Sequence, residues 1–423
     1  MQFCLKLGKR SRLNALKFRL HSALFLKTFR ISNMPQVYFD HASTTPISSL
    51  ALESLIEQSK MVGNPSSLHS NGRLARKKVE ESRETLANLI GCHSSEIIFT
   101  ASGTEANNLA IKGIFWHRLK EDPKRKLILI SSFEHHAVLD PALWLGESGQ
   151  AEIVMINVNK DGYIDLEQME SVIKDRHEEI ALISVMHSNN EVGTIQPIKE
   201  IAKLAEVYQI PLHSDAVQSL GKVQLSFKDL ALFAMTVSAH KVGGPVGVAA
   251  LVLKKGVDIT PLLHGGGQER DIRSGTVNAA GIASFVSATA SAMRDMESNY
   301  QKIFALRAKL ISTIQEQVSD VRLNSPLEGE ILPGIANIEF PSTESDSMLL
   351  LFDAEGIACS TGSACSAGVQ EASHVLIAMG RSEAQARSSL RFSLGISNSE
   401  SEIEYLEACI KRVIDRARAA YRG

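Results

Sequence analysis

The sequence predicts an α/β protein in which a large domain with a mainly parallel sheet is joined to a smaller α+β domain. Between about residues 96 and 253, short apolar runs of strand length alternate with stretches of helical periodicity, as in repeated β–α units. Polar residues collect where these runs end, which is typical of ligand sites in open α/β sheets. A chain of 423 residues is also too long for one small core and suits a large domain plus a smaller one.

The composition is that of an ordinary soluble globular enzyme, with 44% hydrophobic and 22% charged residues. No apolar run approaches the roughly 18 residues that span a bilayer, so we expect no membrane partner. The five cysteines lack paired C-x-x-C spacing, which favours a reducing compartment over a disulfide framework or a structural zinc site. We therefore expect a cytoplasmic protein with no metal ion of its own.

The first 33 residues differ from the rest because they carry eight Lys or Arg and no acidic residue. Taking those eight from the chain's 45 basic residues leaves 37 basic and 47 acidic residues in the rest of the chain. Residues 34–423 therefore carry a net charge of about −10. A body this acidic argues against nucleic acid as a direct partner. The basic segment is interpreted either as a mitochondrial presequence, which would place the protein in the matrix, or as a start assigned too early, with Met34 as the true one. We favour the second interpretation slightly, and in both cases expect residues 1–33 to be disordered.

The elements of the large domain, assigned to residues 48–285, follow from the spacing of apolar residues. Short apolar runs predict strands at 96–100, 126–131, 151–158, 180–186, 210–214, 232–237 and 248–253. Apolar residues at i, i+3 and i+4 predict helices at 73–90, 105–119, 137–145, 166–174 and 197–208. Most of these helices join two successive strands, which favours a parallel sheet covered by helices.

The smaller domain is assigned to residues 35–47 and 286–423. One long helix, at 279–318, is expected to cross into it. Further patterns predict strands at 336–340 and 390–394, and helices at 345–355, 373–379 and 399–419. The small, polar run from Cys359 to Gly368 predicts an accessible loop that carries Cys365.

Lys241 lies in the stretch Ser238-Ala-His-Lys-Val-Gly-Gly-Pro, between two predicted strands. One interpretation is a surface turn that happens to contain a lysine. The other is a partly buried lysine whose amine is nucleophilic and forms a Schiff base with a carbonyl cofactor. The remaining polar groups decide between these two interpretations.

Several polar groups follow predicted strands and could form a site with Lys241. The turn Ser102-Gly103-Thr104 opens a helix, where free backbone N–H groups bind anions. Zinc binding by the histidines is disfavoured because no H-E-x-x-H pair occurs, and a serine hydrolase is disfavoured because no G-x-S-x-G occurs. A pyridoxal phosphate site uses more of the groups: Lys241 for the aldehyde, Asp215 for the pyridine nitrogen, Thr104 for the phosphate and His135 to stack on the ring.

The sequence closely resembles the cysteine desulfurases, pyridoxal phosphate enzymes of fold type I in the class-V aminotransferase family, across residues 37–419. Each matching motif is weak alone, but together, in family order, they are specific. The motifs are Tyr-Phe-Asp-His-Ala-Ser-Thr-Thr-Pro, Gly-Asn-Pro-Ser-Ser, Glu-His-His-Ala-Val-Leu-Asp, Asn-Asn-Glu-Val-Gly, His-Ser-Asp-Ala-Val-Gln, Ser-Ala-His-Lys, Gly-Gly-Gly-Gln-Glu-Arg, Arg-Ser-Gly-Thr, Gly-Ser-Ala-Cys and Ser-Leu-Arg-Phe-Ser-Leu-Gly.

The resemblance implies roles for individual residues. Lys241 matches the Schiff-base lysine and the base that acts on the substrate, and Cys365 matches the catalytic cysteine. His135, which matches the histidine stacked on the ring, is counted with them as catalytic. The implied cofactor-binding residues are Lys241, Asp215, Gln218 (ring hydroxyl), His135, Gly103, Thr104, Ser238, His240, Asn190 and, from the other subunit of a homodimer, Thr276. Arg391 and Asn190 match the groups that hold the substrate carboxylate.

The implied reaction converts L-cysteine to L-alanine and leaves a persulfide on Cys365, which could also serve as a transient iron–sulfur ligand. An acceptor protein, either an iron–sulfur scaffold or a tRNA-thiolation enzyme, would take the sulfur. Two departures from the housekeeping type are a different sequence around Cys365 and an end at Gly423 without a scaffold-docking tail. They indicate a bacterial relative outside the mitochondrial line. The alternatives are a selenocysteine lyase or another class-V enzyme, and a catalytically silent sulfur carrier.

The other cysteines are expected to have lesser roles. Cys359 is predicted to be a small buried thiol rather than a resolving partner of Cys365. Cys92 and Cys409 are predicted to be packing residues.

Overall fold

A computed structural model describes residues 36–362 and 372–421. The predictions for residues 1–33 and for Cys365 lie outside these ranges. From Tyr38 onward, the described residues belong to one compact unit.

The predicted strands and most of the predicted helices fall close to their expected positions, and the structure adds short elements that the sequence did not predict. The strands are β1 (Val37–Tyr38), β2 (Ile97–Thr100), β3 (Leu127–Ser131), β4 (Glu152–Ile156), β5 (Ile180–Ser184), β6 (Leu212–Asp215), β7 (Ala234–Ser238), β8 (Ala249–Leu253), β9 (Arg322–Leu323), β10 (Ile335–Glu339), β11 (Ile357–Ala358) and β12 (Ser389–Ser393). The helices are α1 (Ser49–Ser59), α2 (Ser70–Leu89), α3 (Gly103–Glu121), α4 (His136–Glu147), α5 (Leu166–Arg176), α6 (Ile198–Val207), α7 (Ala279–Arg294), α8 (Met296–Gln317), α9 (Ser345–Ala354), α10 (His374–Ala378), α11 (Glu383–Arg387) and α12 (Glu400–Ala420).

The central sheet has seven strands in the order β2-β8-β7-β6-β5-β3-β4. Neighbouring strands from β7 to β4 run parallel, and β8 runs antiparallel to both β2 and β7. Every residue of β3, β5, β7 and β8 is buried, which explains why these strands are continuous apolar runs. The predicted mainly parallel α/β sheet is confirmed.

A second sheet, in the order β12-β10-β9, is antiparallel. It carries Arg391 on β12, opposite Asn337 of β10. Helices α8 and α12 pack against each other, and α8 also contacts β10. This arrangement has the α+β character expected of the smaller domain, whose boundaries remain a prediction.

The long helical segment predicted at 279–318 is helical, but it is not continuous, because the chain forms two helices that meet at Asp295. The backbone of Asp295 (φ −103°, ψ 14°) leaves the helical conformation there. Helix α7 packs on α1 and α2, whereas α8 packs on α12. The break lets the two halves cover different layers of the molecule.

No helix within residues 36–362 and 372–421 combines the length and the apolar content needed to cross a membrane.

A buried ion pair ties helix α2 to the glycine-rich loop that follows β8. Arg83 donates from Nη1 and Nη2 to the two carboxylate oxygens of Glu269, each at 2.8 Å. Glu269 also accepts from the backbone N–H of Phe99 on β2 at 2.9 Å. The side chains of Arg83 and Glu269 are 5% and 1% exposed, so removing one partner would leave an uncompensated buried charge.

Arg83→Met should therefore lower the free energy of unfolding by about 3–5 kcal/mol. The matched control is Lys77→Met on the same helix, since Lys77 and Glu81 form an exposed pair that should contribute less than about 1 kcal/mol. Urea denaturation of both variants measures the difference. Equal losses in the two variants would contradict the assigned role of the buried pair.

Candidate functional site

One cavity of about 440 Å³ lies at the carboxyl ends of the central strands. Its volume lies in the range of small-molecule sites. It is lined by ten residues that the sequence singled out: Gly103, Thr104, His135, Asn190, Asp215, Gln218, Ser238, His240, Lys241 and Arg391. The structure thus brings together side chains from separate strand ends and from β12.

One end of the cavity is built for an anion. Helix α3 begins here, with Ser102 as its N-cap, and its side chain accepts from the N–H of Glu105 at 3.1 Å. The first N–H groups of the helix, at Gly103 and Thr104, lie at the cavity, and a helix N-terminus carries partial positive charge. A Cβ on Gly103 would lie 3.2 Å from a methyl group of Val217 and 3.6 Å from Ser238, so a larger residue here would narrow this end.

Asp215 supplies a buried carboxylate at the end of β6, where it is 5% exposed. Its Oδ2 accepts from the side-chain nitrogen of Asn107 at 2.6 Å, and its Oδ1 accepts from the N–H of Val217 at 2.9 Å. These two hydrogen bonds fix the orientation of the carboxylate, which lines the cavity. Asn107 lies on α3, and its contact with Asp215 was not predicted from the sequence, because the sequence shows only two adjacent asparagines within a predicted helix.

Lys241 follows β7 in a short 3₁₀ turn, Ala239–Lys241, and its amine reaches across to the segment after β1. Nζ donates to the carbonyl oxygens of Ala42 and Ser43, at 2.5 and 2.6 Å. Burial and, to a lesser extent, the nearby charge of Arg391 lower the pKa of Lys241 to about 8, against the opposing effect of the Asp40 and Asp215 carboxylates. A substantial fraction of this amine is therefore neutral near pH 7–8, as a nucleophile or a base requires.

His135 caps helix α4, with its Nδ1 accepting from the N–H of Ala137 at 3.0 Å. An Nδ1 that accepts a hydrogen bond carries no proton, so the ring's proton lies on Nε2. Loss of solvation lowers the pKa of His135, and the Lys241 amine adds to this lowering. The ring is thus neutral and lines the cavity.

Arg391 is buried and is held in a fixed orientation at the cavity wall. Its Nη2 donates to Asp40 Oδ1 at 2.8 Å and to Ser43 Oγ at 2.7 Å, and its Nη1 donates to the carbonyl of Asn190 at 2.9 Å. The Nε atom is buried and has no partner among the described residues. A ligand carboxylate is the kind of acceptor that this guanidinium would bind.

One predicted site residue lies elsewhere in the chain: Thr276 is exposed and does not line the cavity of its own chain. The prediction for Cys365 falls outside the described residues. Cys359 is half-buried rather than fully buried, and desolvation raises the pKa of its thiol. Cys92 packs against the main core and Cys409 is buried, so both are packing residues as predicted. Among the described residues, no three His, Cys, Asp or Glu side chains form a metal-binding group.

Asp40 is a second site residue that sequence reasoning missed. It belongs to the first matching motif, yet its function is visible only through contacts with Arg391, 351 positions along the chain. The available signal was a carboxylate placed directly after a short strand, which by itself indicates nothing specific.

The donor set fits pyridoxal phosphate. A partly neutral amine, a buried carboxylate, a helix N-terminus and a neutral ring at one cavity match the aldehyde, the pyridine nitrogen, the phosphate and the ring face of this coenzyme. The fold and this cavity define a pyridoxal-phosphate-dependent enzyme of fold type I.

Comparison with known proteins then places the chain more narrowly. The family profile described as "Aminotransferase class-V" matches residues 37–406, and the chain belongs to this family. It is 44% identical over 383 residues to the "IscS-like cysteine desulfurase" of Mycobacterium tuberculosis, an alignment that covers 90% of this chain and 97% of that protein.

Two solved structures show the same similarity. A "NIFS-LIKE PROTEIN" superposes with a TM-score of 0.83 at 33% identity, covering 90% of this chain and all of that one. The structure titled "SspA in complex with cysteine" superposes with a TM-score of 0.73 at 33% identity, covering 86% of this chain and all of that one.

Asp40→Asn should lower the pKa of Lys241 below about 8, because it removes a negative charge that favours the ammonium form. The expected shift is roughly half a pH unit, since one partly screened charge contributes under about 1 kcal/mol. The measurement is the rate at which added pyridoxal phosphate reacts with coenzyme-stripped protein across pH, which rises as the amine loses its proton. Asp175→Asn, at an exposed aspartate, is the control. A midpoint that stays at the wild-type value in Asp40→Asn would contradict this account.

Proposed function

We propose that the protein is a pyridoxal-phosphate-dependent cysteine desulfurase that converts L-cysteine to L-alanine and a persulfide on Cys365. The observation that carries the proposal is the shared cavity of Lys241, Asp215 and Arg391. These groups provide a nucleophilic amine, an acid partner for a pyridine nitrogen and a site for an amino-acid carboxylate. The relative from Mycobacterium tuberculosis, named a cysteine desulfurase, supports the choice among class-V activities.

When bound, pyridoxal phosphate supplies an electron sink that acidifies the Cα proton of an amino-acid substrate. The helix N-terminus at Gly103 and Thr104, with Ser238 and His240, would hold the phosphate. Asp215 would keep the pyridine nitrogen protonated, His135 would stack on the ring, and Gln218 would bond the ring oxygen.

The chain's own groups then position the substrate and move its protons. Arg391 and Asn190 hold the carboxylate, and the orientation of Arg391 is set by Asp40 and Ser43. Lys241 accepts the Cα proton, which a pKa of about 8 allows near neutral pH.

Cys365 acts on the substrate sulfur as a thiolate, because the neutral thiol is a poor nucleophile. A new S–S bond forms to Cys365 while the C–S bond of the substrate breaks. The electron pair of that bond stays with carbon, and a proton added there gives the methyl group of alanine. The extra sulfur remains on Cys365 until an acceptor takes it.

A homodimer would complete the site, with Thr276 entering the partner's phosphate site. In support, Thr276 is exposed, and the loop before it is fixed by two ion pairs, Arg83–Glu269 and Arg273–Glu105. We propose that the acceptor is a protein of iron–sulfur assembly or of tRNA thiolation. The small number of cysteines, their lack of C-x-x-C spacing and the bacterial relative favour a cytoplasmic location.

Cys365→Ala should abolish alanine formation from L-cysteine, together with the sulfide that an added thiol reductant releases from the persulfide. Cys359→Ala should keep most of both, because Cys359 has a raised thiol pKa. Alanine is measured by chromatography, and the added 32 Da on Cys365 by mass spectrometry, a mass that follows from one sulfur atom.

The same variants distinguish a cysteine desulfurase from the main alternative. A selenocysteine lyase, or another class-V enzyme that needs no cysteine, would stay active in Cys365→Ala with its own substrate. Full activity of Cys365→Ala on L-cysteine would overturn the proposed role of this residue.

A further inference from the structure

A second lysine, Lys222, lies beside the coenzyme site and has no role in the reaction described above. It lines a separate small cavity of about 90 Å³ together with His41 and Lys241, and it does not line the large cavity. Burial, together with the smaller effect of the Lys241 and Arg391 charges, lowers the pKa of Lys222 to about 7. Placing an amine in such surroundings is costly, so its contacts need an explanation.

The turn after β6 directs Lys222 back toward Gln218. Gly221 has φ +71°, and a Cβ there would lie 2.5 Å from a methyl group of Val242 and 2.8 Å from Ala292. Only glycine therefore fits at this reversal. Directly after it, the Nζ of Lys222 donates to Gln218 Oε1 at 3.0 Å.

The other end of the Gln218 carboxamide is also fixed. Its Nε2 donates to the carbonyl oxygen of Ala42 at 2.8 Å, the same oxygen that accepts from Lys241 Nζ at 2.5 Å. Because a backbone carbonyl can only accept, the amide nitrogen must face Ala42 and the amide oxygen must face Lys222. The second hydrogen of Nε2 is then left for the large cavity, which Gln218 and Ala42 both line.

We propose that Lys222 is a positioning residue that fixes the Gln218 carboxamide so that an N–H, not the carbonyl, serves the ring oxygen of the coenzyme. The inference rests on the proposed contact between Gln218 and that oxygen. An N–H donor stabilises the ionised ring oxygen, whereas a carbonyl oxygen turned toward it would repel it. Lys222 is thereby joined to the amine of Lys241 by a chain of hydrogen bonds that runs through Gln218 and the carbonyl oxygen of Ala42.

The test follows the visible absorption of the bound coenzyme across pH, without substrate. In Lys222→Met and Lys222→Ala the midpoint of the absorption change should rise by about half to one pH unit, the shift that corresponds to one lost hydrogen bond. The rise is expected because a less stable ionised ring oxygen makes the bound coenzyme keep its proton to higher pH. Lys222→Arg, which retains a donor, and the exposed Lys228→Met should stay near the wild-type midpoint.

A double-variant cycle separates positioning from a simple effect of charge. In a Gln218→Leu background, Lys222→Met should cause no further shift, because no carboxamide remains to be oriented. The same shift in both backgrounds, or an unchanged midpoint in Lys222→Met and Lys222→Ala, would overturn the proposal. The absorption measurement uses no substrate, so it does not depend on desulfurase activity. A protein that binds the coenzyme but releases no sulfur from L-cysteine would refute the proposed function, and the absorption shifts would still test the role of Lys222.

Discussion

The site depends on how the amine of Lys241 is held. Its two acceptors, the carbonyls of Ala42 and Ser43, come from a segment 199 and 198 positions earlier in the chain. These contacts fix the position of the amine, while burial and the charge of Arg391 bring its pKa to about 8. Position and proton affinity are therefore set by the same packing, and the amine is available as a nucleophile near neutral pH.

The topology of the sheet explains why the other groups meet this amine. Strands β6 and β7 are parallel neighbours with Asp215 opposite Thr236. Asp215 and Ser238, the last residues of these strands, therefore lie at the same carboxyl-terminal side of the sheet. Strand β2 points the same way as β7, because β8 is antiparallel to both. The start of helix α3 therefore lies at this same carboxyl-terminal side of the sheet. As a result, a phosphate site, a carboxylate and an amine surround one cavity.

Much of this could be predicted from the sequence, because strand ends and helix starts have local signals. The central sheet and the grouping of Lys241, Asp215, Thr104 and His135 at one cavity followed from residue types at such positions, while the roles of these four residues remain predictions. Asn107, Asp40 and Lys222 could not be found this way, since their significance lies in contacts between distant parts of the chain or in a turn whose geometry no periodicity reveals. The break at Asp295 was missed because helical periodicity continues on both sides and no Gly or Pro lies next to the break. The domain boundaries, the partner role of Thr276 and the chemistry of Cys365 remain predictions.

The central claim is that Lys241, and no other amine, carries the coenzyme. Borohydride reduction of the protein loaded with pyridoxal phosphate, followed by proteolysis and mass spectrometry, tests this most directly. The account predicts that the reduced coenzyme is attached to the peptide that contains Lys241. Attachment at Lys222 or another lysine, or no attachment at all, would contradict it.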